Sequence, residues 1–222
     1  MKHNDLPLTV HNDSRIKISR RDAYHLAGHA AAIYLANKQK QLPSVFFQIV
    51  LKPHEVEPPQ FNQFTSLYCK YKGVIEGGLL IQSFPLPFTE TVGHFSESQQ
   101  LEYRLAFEAD VINQLSGPLA EAKYVALRDN EVLSANLINL NSLHYYGGNL
   151  ALIQEYLKRY LPNKEERERK LRELFLAAYK FVNKRSNWDA ITSLAEFIQE
   201  EPNTIISCEE VISLLEFRLL EV

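Results

Sequence analysis

The sequence predicts an α+β fold, mainly α-helical, with a small β-lobe inserted after one central helix. Three observations carry that expectation. A stretch opening at Ser19 places Ala23, Tyr24, Leu26, Ala27, Ala30, Ala31, Ile33 and Leu35 around most of a helix circumference. From Pro43 the composition turns β-branched and aromatic, and after Ser96 helical periodicity runs to the C-terminus. With 222 residues, 45% of them hydrophobic and 23% charged, the chain can bury one sizeable core. A single domain is therefore expected over residues 19–222, preceded by a polar, flexible arm over residues 1–18.

The first helix begins at a capping box, Ser19-Arg20-Arg21-Asp22, and Gly28 in its middle implies a close helix contact. Ser44 to Leu51 reads as a strand ended by Pro53. Phe64 to Tyr71 and Gly78 to Phe84 read as further strands, with Gly73 and Gly77 as separators, so that the lobe spans about residues 44–95. Glu97 to Leu115 spaces Leu101, Leu105, Glu108, Ile112 and Leu115 helically, and Ser116-Gly117-Pro118 is expected to kink or restart the helix before Leu119 to Leu127. Gly147-Gly148-Asn149 opens a helix that turns Ile153, Tyr156, Leu157 and Tyr160 inward until Pro162. The charged run Lys164 to Lys170 is the solvated start of a helix burying Leu171, Leu174, Phe175, Ala178, Phe181 and Val182. Trp188 to Glu200 forms another helix, and Ser207-Cys208-Glu209-Glu210 caps a last one with Val211, Leu214, Leu215 and Leu219 buried.

Composition excludes several classes of function. A formal net charge of −3 supplies no basic field for nucleic acid or an anionic membrane. No apolar stretch reaches the roughly 18 residues of a membrane span, and the N-terminus lacks a signal-peptide core. The two cysteines, Cys69 and Cys208, stand far apart and form no C-x-x-C pair, which fits a reduced, cytoplasmic setting.

The chemistry-bearing motif is His25-Leu26-Ala27-Gly28-His29. Histidines four residues apart project from one helix face and can grip one cation, as in the H-E-x-x-H of zinc peptidases. The glutamate of that motif serves the metal-bound water as base, and Leu26, with no lone pair or ionisable group, cannot. The loss of general-base help alone is worth roughly 10²–10⁴ in rate. Taken without other information, His25 and His29 read as polar helix residues hydrogen-bonded to neighbours in preference to ligands, and His94 and His144 read as loop histidines.

This motif resembles the His-Glu-Ala-Gly-His signature of the peptidase domain of the FtsH family of ATP-dependent zinc metallopeptidases, departing from it only at Leu26. Pro43 to Pro53, Leu115 to Glu121, Tyr146 to Leu150 and Leu194 to Leu215 resemble further segments of that family in consistent order, over about residues 20–220. The resemblance implies a stand-alone, FtsH-peptidase-like domain with His25 and His29 as metal ligands. Asn149 stands where the family has its third ligand, an aspartate, and a neutral amide is a poorer zinc ligand than a carboxylate. Asn149 also reads as a plain helix N-cap. Glu121, Glu108 and Asp110 are candidates for a substitute ligand, and Glu121 for a substitute base. No G-x-x-x-x-G-K-[ST] loop is present, so no ATP site is expected. What the resemblance implies overall is an inactive pseudo-peptidase homologue that acts by binding a protein, a peptide or a second copy of itself. The alternatives are a divergent active zinc peptidase using His25 and His29, and a helical adaptor without metal.

Overall fold

The structure, a computed structural model, describes residues 18–51, 66–67, 73–81, 95–132, 150–200 and 203–220. Helix α1 (Arg20–Ala31) starts where the Ser19 hydroxyl accepts from the Asp22 N–H at 3.1 Å. The helix widens into a π-helical turn over Ala32–Ala36 and ends at Asn37–Gln39, closed by Gln41 in the left-handed region at φ 57°. From Asp22 to Ala31 every side chain except Tyr24 is buried. The expectation of a central, all-round apolar helix is met. Ile18, the last residue of the expected arm, is itself buried in the core.

Strands β1 (Phe47–Leu51), β2 (Ser66–Leu67), β3 (Gly73–Gly77) and β4 (Ile205–Ser207) form one antiparallel sheet in the order β2-β3-β1-β4. Phe47 pairs with Gly77 and Leu51 with Gly73, while Gln48 pairs with Ser207. Phe47, Ile49 and Leu51 turn inward, the period-2 pattern of a half-buried strand. The third strand lies over Gly73–Gly77 instead of the expected residues 78–84, whose described part, 78–81, is not strand. Its two glycines do not separate strands. Gly73 leaves room for the Leu26 side chain on α1, and Gly77, at φ +81°, turns the chain out of the sheet. The sheet also takes a strand from far beyond residue 95, since β4 is too short to show an alternating pattern in sequence.

Helix α2 (Glu97–Arg128) opens with a complete capping box between Ser96 and Gln99. It is one continuous helix through Ser116-Gly117-Pro118 and does not restart there. Interior proline costs a helix roughly 3 kcal/mol, but Pro118 is buried here along with every residue from Ala109 to Ala122, and that packing outweighs the local preference. Leu101, near the open end of the helix, is exposed. Helices α3 (Leu150–Tyr160), α4 (Lys164–Asn183), α5 (Arg185–Glu200) and α6 (Cys208–Leu220) follow. Their described inward residues, Ile153, Tyr156, Leu157 and Tyr160 on α3 and Leu171 to Val182 on α4, are those the periodicity selects. The Ser207 capping box forms with Glu210.

One hydrophobic core joins these elements, with α1 packed against α2, α5 and β3. At the α1–α2 crossing a Cβ on Gly28 would lie 2.6 Å from the Ala120 Cβ and 2.7 Å from the Ser116 carbonyl. The two backbones meet as closely as glycine allows, which is the contact that Gly28 implied.

Candidate functional site

Two stripes of residues face each other across that crossing. Arg21, His25 and His29 recur every four residues along α1, and Asn113, Gly117 and Glu121 recur every four along α2. They pair in antiparallel order. Arg21 Nε and His25 Nδ1 both reach the Glu121 carboxylate, the latter at 2.8 Å, while His29 Nδ1 lies 2.8 Å from the Asn113 carbonyl. The His29 ring lies against Gly117, where a Cβ would come within 2.3 Å of Nε2. Gly117 is thus the cradle of His29.

The partners determine the protons. A carbonyl only accepts, so His29 carries its proton on Nδ1 and presents a lone pair at Nε2. A carboxylate accepts from His25 Nδ1 in the same way. The two Nε2 atoms are 3.1 Å apart, and two facing lone pairs would repel. An arrangement that satisfies every atom has His25 Nε2–H donating to His29 Nε2, with the Glu121 carboxyl group at His25 Nδ1 and His29 neutral. Consistent with this, burial first and then the nearby His25 charge push the His29 pKa down to about 3, against the opposing bond to Asn113. Glu121 is fully buried, and Arg21, 42% exposed, connects it to the surface. Close by, Asp22 is pushed up, by burial first, its Ser19 hydrogen bond opposing and the Glu121 charge adding to the rise.

The same geometry bears on a metal. Both Nδ1 atoms are held by a carboxylate or carbonyl, the outer-shell pattern of histidine ligands, and both Nε2 atoms converge. Zinc–nitrogen bonds of about 2.0–2.1 Å give a tetrahedral edge of about 3.3–3.4 Å, near the observed separation. The pair fits one edge of a zinc tetrahedron. It does not complete a site: among the described residues no group of three or more His, Cys, Asp and Glu side chains could hold a metal ion.

The other candidates fall in different places. Glu121 is next to His25, but on its Nδ1 side. Glu108 pairs with Lys170 at 3.1 Å, and the Asp110 carboxylate faces residues 80 and 81. Asn149, His94, His144 and Cys69 lie outside the described residues. Leu26 is fully buried and faces the sheet, where a Cβ on Gly73 would lie 2.5 Å from its Cδ1 and 3.3 Å from Leu51 Cδ2.

Arg21 and Asn113 were not singled out from sequence. Arg21 could have been, since it extends the histidine spacing by one more step of four. Asn113 carries no such mark because its backbone carbonyl does the work. Its side-chain nitrogen, in the orientation that satisfies both amide atoms, donates to the Ala32 and Ala109 carbonyls at 3.1 and 3.2 Å. It thereby pins the start of the π-helical turn. Among the described residues no helix is long and apolar enough to cross a membrane. No protein-family model matches this chain, and no curated protein or solved structure matches it.

Proposed function

We propose that this chain is a non-catalytic protein on a metallopeptidase-like helix pair, a pseudo-peptidase that acts by binding a protein or peptide partner. The observation that carries the reading is Leu26. The residue at the base position of the histidine motif is a hydrocarbon side chain, fully buried against Gly73 and Leu51. The carboxylate that does touch the pair, Glu121, is engaged by Arg21 and by His25 Nδ1, where it balances charge and has no open side for a water. A buried imidazole pair joined by a shared proton, with its outer contacts satisfied, serves as a structural polar core between two helices.

Incubation of the purified full chain with an unfolded, fluorescently labelled protein tests this. No cleavage above background is expected with or without added zinc, and chelator-sensitive cleavage by the wild type would overturn the reading. A peptide-array screen is expected to return a binding motif, whereas a helical adaptor without a groove would return none.

The converging Nε2 atoms favour a second reading, a divergent zinc protein whose remaining ligands come from elsewhere, Asn149 among them. Elemental analysis of protein purified without added metal separates the two. The pseudo-peptidase reading expects zinc well below one equivalent, and one equivalent lost on His25→Ala would favour the metalloprotein.

A further inference from the structure

Beyond β3 the chain leaves the sheet through two consecutive glycines in the left-handed region, Gly77 at φ +81° and Gly78 at φ +82°. The strap that follows buries Leu79 and Ile81. Gly78 rests on the π-helical turn of the histidine helix, with a Cβ there 2.5 Å from Ile33 Cδ1. The strap's own amides go to one carboxylate. Leu80 N–H donates to Asp110 Oδ1 at 2.8 Å and Ile81 N–H to Oδ2 at 2.9 Å, while the Tyr156 hydroxyl of α3 donates to Oδ2 at 3.0 Å. Asp110 on α2 is fully buried. Among the described residues, the titratable groups that face it are Tyr156 from α3 and Tyr103 from α2 itself, and no cation offsets its charge.

We propose that Asp110 is a proton-operated latch: as a carboxylate it fastens the strap of residues 78–81 to α2 and α3, and on taking up a proton it loosens its hold on the Leu80 and Ile81 amides. Three donors converge on the two oxygens, which suits a charged acceptor and not a neutral acid, one of whose oxygens becomes a donor. Burial, with no counter-ion among the described residues, opposes that charge. The balance sets the carboxyl at about 7, burial raising it and the two amides and Tyr156 pulling it down. The double-glycine hinge gives the released strap backbone freedom that other residues would lack. Whatever its occupancy by metal or peptide, the histidine helix carries this strap on its π-helical turn, so the latch stands independently of the function proposed above.

The opposing contributions give the latch an unusual signature. Protonation weakens the local hold on the strap, while relief of the buried charge strengthens the fold as a whole. Amide NMR spectra of the full chain, taken from pH 5 to 8.5, test it. The Leu80 and Ile81 resonances are expected to move together with a midpoint near pH 7. Their hydrogen-exchange protection, normalised for intrinsic rate, is expected to fall about fivefold on the acid side, the difference between a charged and a neutral acceptor. Asp110→Asn should show neither inflection. Resonances that stay flat in the wild type, or the same inflection in Asp110→Asn, would overturn the proposal. Should that variant fail to fold, the Asp110 carboxyl carbon of the wild type decides. A midpoint near 7 shared with the two amides supports the latch, and one below pH 5 overturns it.

Discussion

His29 shows how much of this site is decided by single contacts. Its tautomer follows from one carbonyl, its neutrality from burial and the neighbouring His25, and its position from a missing methyl group on Gly117. Gly117→Ala is expected to destabilise the protein by about 1–3 kcal/mol in urea unfolding, as overpacking does, and His29→Ala in the same chain should recover most of that loss. At position 26 a carboxylate would be buried beside Gly73 and Leu51. Leu26→Glu is therefore expected to cost more than about 3 kcal/mol in the same measurement, without conferring hydrolysis. The histidines and Leu26 were legible in the sequence because a motif spacing marks them. Arg21 was legible too, one step of four before His25, whereas Asn113 and the cradle of Gly117 became visible only once α1 and α2 were set side by side, because their meaning lies in the pairing of two four-residue stripes.

Helices were legible wherever period, cap and breaker agreed. The capping boxes at Ser96 and Ser207 form, and the buried stripe of α4 is the one its spacing selects. Ser96→Ala, at an exposed cap, is expected to lower stability by about 1 kcal/mol and to raise hydrogen exchange in the first turn of α2. Local signals failed where tertiary packing overrode them. Pro118 marks a helix break in isolation, yet α2 continues because that stretch is the most enclosed part of its length. Gly73 reads as a turn residue, yet it sits in a strand because Leu26 occupies the space a side chain would take. β4 joins the sheet only by virtue of a partner more than 150 residues earlier in the chain, a pairing that no three-residue pattern can announce.

At the scale of the molecule, two buried titrating groups pull stability in opposite directions. The Asp110 carboxyl is raised from 3.8 to about 7, so the folded state binds a proton over that window that the unfolded chain does not. Its contribution is present at low pH and lost as pH rises through about 7. His29 is lowered from 6.5 to about 3, so its contribution is present above pH 6.5 and lost as pH falls towards 3. Between about pH 4 and 6.5 the two oppose each other. Urea unfolding at stepped pH should show Asp110→Asn falling progressively below wild type on acidification, and His29→Gln rising relative to it.

The fit of Leu26 into Gly73 has a consequence for the history available to this chain. A side chain appearing at 73 meets Leu26, and a polar group appearing at 26 meets a dry wall with nothing to solvate it. Neither position can change first without loss, so the pair works as a ratchet. Placing an acid at 26 would pass through a less stable protein unless another substitution first opened that wall to water.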